Sequence, residues 1–331
     1  MPFVVWLPLV AQLLIPLALL GWLASGHPAN RASWVLRAIL TLVYLTAITG
    51  AGLWLILPWY TPALYAAAFL LVAIVSGRRL GAVPRWPRRA SSVAEALATA
   101  ALAAGCVVLI VQVGAGRRPP PASVDLSFPL RDGTYLVVNG GARALINGHF
   151  ATLTGERFGR WRGQSFGVDL VKLDGFGRRA RGILPRDPAA YAIFGDSVHA
   201  PCAGTVIGAV DGAPEMRPPA VDRRNMAGNY VILGCGNVWV LLGHLRRGSV
   251  AVRVGDTVHV GQPLGRVGNS GNTNEPHLHI HAQRPGTLDA PFSGDPLPIR
   301  FGVTYPARST RVRCPPRVLL QAFRQSSSVG C

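Results

Sequence analysis

The chain has 331 residues, 50% of them apolar, with 33 Lys and Arg against 15 Asp and Glu and a formal net charge of +18. That apolar content excludes a solvated coil, and a charged fraction of 15% falls well below the roughly 25% of an ordinary soluble domain. The charge is also unevenly placed: through Gly116 the only acid is Glu95, whereas from Pro119 onward 24 bases face 14 acids, a net of +10.

Residues 3–24 are almost purely apolar and reach the ~20 residues that a membrane helix needs. No basic segment precedes them, as a cleaved export signal would require. Residues 34–57 repeat the pattern with Arg37 near the start, a third stretch covers 58–76, and 93–113, rich in Ala, Leu and Val, makes a fourth. The expectation is a multi-pass helical anchor over 1–116 that meets membrane lipid through about four spans. Arg78, Arg79, Arg85, Arg88 and Arg89 between the third and fourth stretches, and Arg31 between the first and second, belong on the cytoplasmic side. The uncharged connection with Trp59 and Tyr60 belongs on the other. This topology puts the C-terminal part on the outer face of the membrane, where nucleic acid is not an expected partner. No Asp, Lys or His lies at mid-depth in any span, so the spans read as an anchor and not as a transport path.

Residues 117–134 form a Pro-rich linker. From 135 to 303 short β-branched runs alternate with glycine, at 205–207, 230–233, 238–242 and 250–254, then 254–258 and 260–265. Gly234-Cys235-Gly236-Asn237 supplies a hairpin turn. With no sustained helical period, the segment predicts an all-β antiparallel domain. Two polar loops, 174–197 and 211–228, interrupt it, and 304–331 reads as a basic tail. Cys106 falls inside the fourth span, which leaves Cys202, Cys235, Cys314 and Cys331 with three pairings open. A Cys202–Cys235 disulfide is the expected one, since both sit at strand edges of one sheet; reduced structural cysteines are the alternative.

Chemistry concentrates in Glu275-Pro276-His277-Leu278-His279-Ile280-His281. Residues two apart in a strand share a face, so His277 and His279 point the same way and suit a shared Zn²⁺. Asp169 stands in the apolar run Phe166-Gly167-Val168-Asp169-Leu170, where an unpaired carboxylate is costly to bury, and is a ligand candidate. His244 ends another apolar strand, either at the site or as a core histidine bonded to a carbonyl.

Four pieces in order, Phe166-Gly167-Val168-Asp169, His199-Ala200-Pro201-Cys202-Ala203-Gly204-Thr205-Val206, Gly243-His244-Leu245, and Gly268-Asn269-Ser270-Gly271 running to Pro276-His277-Leu278-His279, resemble the lysostaphin/LytM-type zinc peptidases. Val254-Gly255-Asp256 and Gly261-Gln262-Pro263-Leu264-Gly265 fit the same resemblance, which covers about 147–283 and neither the anchor nor the tail. It implies a LytM-like β domain, zinc at the floor of a groove, and hydrolysis of peptide bonds in peptidoglycan. By position it implies Asp169 and His279 as zinc ligands, with His277 and His244 flanking the attacking water as general base and as stabiliser of the tetrahedral intermediate. The family's first ligand, a histidine four residues before the aspartate, is here Ser165. Either another group completes the metal site, with His149 as the candidate, or the domain is non-catalytic and binds peptidoglycan or activates a second cell-wall hydrolase as its partner. His281 shares the face of His279 one step further along, and His199 and His259 read as structural.

Overall fold

The computed structural model describes residues 8–25, 28, 30–81 and 83–314, and the chain divides into two compact units, Met1–Ala115 and Gly116–Cys331. In the first, a π-helical stretch, Val10–Leu14, leads into α1 (Ile15–Ala24), followed by α2 (Arg31–Ala51), α3 (Thr61–Gly77) and α4 (Ala90–Gly116). By length and composition three helices are long and apolar enough to cross a membrane, Arg31–Ala51, Thr61–Leu80 and Ala90–Gly116, while Val10–Ala24 is shorter; residues 1–7, part of the expected first span, lie outside the described residues. The expected 34–57 helix begins earlier, because Asn30 caps it by accepting from Ser33 N at 2.8 Å. It also stops sooner: Gly52 leaves the helix in an extended conformation, and Trp54 Nε1 folds back to donate to Thr49 O at 3.2 Å. Arg37 donates through Nε to Glu95 at 3.1 Å and stacks 4.5 Å from the Trp22 ring centroid, so the unit's only acid pairs with one of the two arginines of α2.

The second unit is mostly antiparallel β. Its strands are β1 (Val124–Leu126), β2 (Gly133–Asn139), β3 (Val168–Leu173), β4 (Ser197–His199), β5 (Gly204–Val210), β6 (Asn229–Cys235) and β7 (Val238–Leu245). They continue with β8 (Thr257–Val258), β9 (Pro263–Arg266), β10 (Leu278–Gln283), β11 (Pro296–Leu297), β12 (Ile299–Phe301) and β13 (Arg311–Cys314). The main sheet runs β13-β2-β3-β10-β7-β6-β5-β8 with β11 on β10, and β4-β9 and β1-β12 pair separately. One face packs Tyr135, Leu170, Val206, Leu233, Val240 and Ile280 into the main core, the alternation that period-two strands require. Cys202 and Cys235 form a disulfide between the approach to β5 and the end of β6.

Three expectations are corrected. The 117–134 linker contains β1, paired in parallel with β12, and the tail expected from 304 contributes β13, paired with β2; residues 315–331 lie outside the described residues. The apolar run 250–254 is not a strand. Two of its amides are taken by side-chain carboxylates, Val250 N donating to Asp211 at 3.1 Å and Arg253 N to Asp256 at 2.8 Å, while Ala251 N donates to Leu264 O at 2.9 Å, so no continuous ladder forms. The approach to β3 is built from 3₁₀ turns, Gly148–Thr152 and Glu156–Gln164, in keeping with the missing helical period.

What places the site is register. In the β3–β10 pair Asp169 stands opposite His279, and in the β10–β7 pair His279 stands opposite Gly243. Asp169, His279 and the end of β7 therefore lie in one row across three strands.

Candidate metal centre

Asp169 is the hub of this row. Its Oδ1 lies 2.9 Å from His279 Nδ1 and 3.6 Å from His277 Nε2. Its Oδ2 lies 2.9 Å from His149 Nε2 and accepts from Asn139 Nδ2 at 2.8 Å. His149, Asp169 and His279 offer three ligand atoms within 4.8 Å of one another. The carboxylate and His279 are buried, with 4% and 2% of their surfaces exposed, so neither is an incidental surface acid or imidazole.

Local structure brings His149 there from 20 residues away in sequence. Asn147 accepts from His149 N at 3.1 Å and donates to Gly141 O at 3.0 Å and Gly167 O at 3.2 Å. Gly148 N donates to Asn139 Oδ1 at 3.2 Å, and Arg308 Nη2 donates to the same oxygen at 3.1 Å. One asparagine, Asn139, thus holds both the turn that carries His149 and the carboxylate it faces. Gly167 matters for space: a Cβ there would stand 2.8 Å from His279 Cε1 and 3.3 Å from His149 Cδ2.

His244 ends β7 with φ of +61°, a conformation that costs a non-glycine residue about 1–3 kcal/mol. Its ring centroid lies 4.8 Å from that of His277 and 5.9 Å from that of His279. Nδ1 lies 2.9 Å from Ser270 O; a carbonyl only accepts, so Nδ1 carries the proton and Nε2 is bare. The same argument applies to His277, whose Nδ1 lies 2.9 Å from Glu275 O. Both histidines therefore offer a lone pair at Nε2.

Electrostatics follow from burial and the Asp169 charge. Burial would raise the Asp169 pKa, but the facing His149, by its charge and its hydrogen bond, holds it well below the usual carboxylate range. Burial would depress His149, yet the facing carboxylate raises it. For His279 burial dominates and brings the pKa down to about 4. Burial, then the neighbouring histidines, keeps His244 well below the usual imidazole value.

Residues 189–291 match peptidase family M23. The C-terminal unit carries an M23 domain. The match includes His244, His277 and His279 and begins after Asp169. No curated protein matches the chain. Among solved structures, the solution structure of lysostaphin is 22% identical, covering 37% of this chain and 38% of its own, with a TM-score of 0.24. The catalytic domain of lysostaphin from Staphylococcus simulans is 20% identical over 38% of this chain and 71% of its own, with a TM-score of 0.25. A putative M23 peptidase from Pseudomonas aeruginosa is 20% identical over 57% of this chain and 60% of its own, with a TM-score of 0.28.

M23 peptidases are zinc enzymes, and the donor set here suits that ion: two imidazole nitrogens and one carboxylate oxygen, His149 half-buried and the other two residues buried, are a ligand combination of hydrolytic zinc sites. Of the sequence candidates, the structure gathers His149, Asp169, His244, His277 and His279 into one cluster. Ser165 is not in it; its Oγ donates to Arg162 O at 2.6 Å and lies 2.9 Å from Thr152 Oγ1. His199 sits on β4, paired with β9, and His259 is exposed between β8 and β9. Sequence reading missed Asn139, Asn147, Gly167 and Gln283 around the centre. The one available signal was Asn147-Gly148-His149, an asparagine placed to cap the turn that follows it.

Proposed function

We propose that this chain is a membrane-anchored zinc metalloendopeptidase that hydrolyses peptide bonds in peptidoglycan stem or cross-bridge peptides. His149, Asp169 and His279 hold the metal, and the N-terminal helices fix the M23 domain to the outer face of the cytoplasmic membrane. M23 peptidases are typically peptidoglycan hydrolases, and the net +10 carried from Pro119 onward would concentrate a wall polymer rich in free carboxylates.

The observation that carries the reading is His149. With Ser165 in the family's first ligand position, its Nε2, 2.9 Å from Asp169 Oδ2, supplies the third donor. Zinc held there supplies a Lewis acid that polarises the scissile carbonyl and acidifies water. His277, with Nδ1 committed to Glu275 O, accepts the proton of the attacking water at its bare Nε2. Once protonated it becomes a donor and returns that proton to the leaving amine. His244, held neutral by burial, presents its own bare Nε2 from the opposite ring and orients the same water. In this tautomer it accepts a hydrogen bond; stabilising the tetrahedral oxygen would fall to whichever imidazole has taken the proton.

The test is His149→Ala in the full chain. Expected are one zinc per wild-type chain and none in the variant, together with loss of new amino groups released from purified peptidoglycan. Wild-type zinc content and hydrolysis in the variant would overturn the ligand assignment. Peptidoglycan binding by a wild-type chain that holds no zinc and cuts nothing would favour the non-catalytic module instead.

A further inference from the structure

Behind the metal centre a second line of polar groups runs along the same face of β10. His279 Nε2 lies 3.0 Å from His281 Nδ1, His281 Nε2 lies 3.3 Å from Gln283 Oε1, and Gln283 Nε2 donates to Pro291 O at 3.2 Å. All three side chains are buried, His281 and Gln283 with 0% and 1% of their surfaces exposed.

The direction of every hydrogen bond in this line is fixed from its far end. Pro291 O only accepts, so the amide nitrogen of Gln283 faces it and Oε1 faces His281. His281 must then carry its proton on Nε2, which leaves Nδ1 bare. A bare Nδ1 requires that His279 donate from Nε2, and neutral His279 is left with a lone pair on Nδ1. That lone pair points at Asp169 Oδ1, 2.9 Å away, and two acceptors at hydrogen-bond distance repel unless a cation joins them. Reversing the line moves the same conflict to Gln283, in the core. The far end is also locked in place. A Cβ at Gly163 would overlap Gln283 Oε1, and one at Gly294 would stand 2.8 Å from Gln283 Nε2, while the Phe292 ring stacks on His281 at 5.2 Å and 23°.

We propose that His281 and Gln283 are positioning residues that hold His279 in the Nε2–H tautomer, the one form of the neutral ring able to give Nδ1 to a metal. The proposal rests on the zinc reading above. Ligating histidines generally donate their other ring N–H to an outer partner, and loss of such partners typically costs 10–100-fold in metal affinity. Here the acceptor is a second imidazole, kept in the accepting tautomer by an amide whose orientation a backbone carbonyl decides.

The experiment has two independent readouts on the full, detergent-solubilised chain. In chelator-treated, ¹⁵N-histidine-labelled protein, long-range ¹H–¹⁵N correlations are expected to report His279 as the Nε2–H tautomer. In competition with a chromophoric chelator, His281→Leu is expected to lower zinc affinity by ~10–100-fold, whereas His281→Asn, whose Oδ1 can stand in for Nδ1 as acceptor, retains most of it. Gln283→Met leaves His281 in place but frees its tautomer, so His279 should then populate the Nδ1–H form; this variant carries the test should His281→Leu not fold. Finding His279 as Nδ1–H or doubly protonated in the wild type at pH 7.5, or wild-type zinc affinity in His281→Leu, would overturn the proposal. A wild-type chain that binds no zinc yet shows the Nε2–H tautomer would overturn the zinc reading alone and leave the positioning role supported.

Discussion

Gly167→Ala is the smallest change that strikes the centre without touching a ligand. The new Cβ would lie 2.8 Å from His279 Cε1, 2.8 Å from Gln164 O and 3.3 Å from His149 Cδ2. Carbon–carbon contacts settle at about 3.5–4.0 Å, so the His279 ring would have to withdraw by about 0.7 Å. It has little room to do so, with Asp169 at 2.9 Å on one ring nitrogen and His281 at 3.0 Å on the other. The peptide of Gly167 cannot easily give either, because its N–H donates to Gln164 O at 2.6 Å and its carbonyl accepts from Asn147 at 3.2 Å. Metal–ligand distances hold to about ±0.2 Å, so on the proposed coordination a shift of that size would take His279 out of coordinating range of an ion held by Asp169 and His149. The expected loss is ~100-fold in zinc affinity, about 3 kcal/mol, together with an overpacking cost of about 1–3 kcal/mol in the metal-free protein. Zinc competition titration and thermal unfolding in chelator read the two terms separately. A variant that binds zinc within about threefold of wild type, with an unchanged Tm, would refute the steric reasoning.

Three further outcomes follow from the same geometry. Asn139→Ala removes a donor to Asp169 and the acceptor for Gly148 N and Arg308 Nη2; it should cost about 1–3 kcal/mol in urea unfolding and ~10-fold in zinc affinity, and wild-type values for both would contradict the bridging role. Ser165→Ala should lower stability by about 1 kcal/mol, because it removes the buried hydroxyl that donates to Arg162 O at 2.6 Å; urea unfolding identical to wild type would mean that this bond does not contribute. The metal-free chain should lose stability as pH falls from 7 to 5.5. Burial keeps His244 and His281 neutral well below the usual range and His279 down to about 4, while the unfolded imidazoles take up protons near 6.5, so the unfolded state binds more protons and stability rises with pH. At pH 5.5 that is a little over 1 kcal/mol per group, roughly 4 kcal/mol for the three. His149 works in the opposite sense: raised by Asp169 against the effect of burial, its contribution is complete below about 6.5 and is lost as pH climbs through its own pKa. A Tm independent of pH over this range would refute the buried-neutral assignment.

How far the sequence could be read depended on how local the determinants were. His277, His279 and Asp169 were legible because a two-residue spacing and a carboxylate in an apolar run are strand-level signals, and β3 and β10 do place Asp169 opposite His279. The β6–β7 hairpin was legible for the same reason, its turn at Gly236 having φ of +63°. The edges of the domain were not: β1 and β13 are three and four residues long, with charged residues alternating into solvent, and nothing in so short a pattern separates an edge strand from a linker or a tail. The run 250–254 misled in the other direction. Its apolar residues suit a strand, but Asp211 and Asp256, neither of them in the run, take the amides of Val250 and Arg253.

The same distinction bears on the proposed ligand set at the centre. A metal site constrains where donor atoms lie and is indifferent to which part of the chain delivers them. A histidine four residues before Asp169 would reach the carboxylate by local geometry alone, which is why a motif can record it. His149 arrives by a different route that needs Asn147 bonded to Gly167 O, Gly148 bonded to Asn139, and Asn139 held by Arg308 from beyond β12. Each of these is a contact between segments distant in sequence, and none leaves a period or a spacing behind. Ser165 belongs to that route. Its hydroxyl donates to Arg162 O at 2.6 Å, and its oxygen lies 2.9 Å from Thr152 Oγ1, whose own hydroxyl donates to the His149 carbonyl, so the motif position lies beside the turn that carries His149. On the proposed coordination, Ser165 in the motif position and His149 in the cluster with Asp169, His244, His277 and His279 are parts of one arrangement, and an incomplete motif is then weak evidence against a metal site.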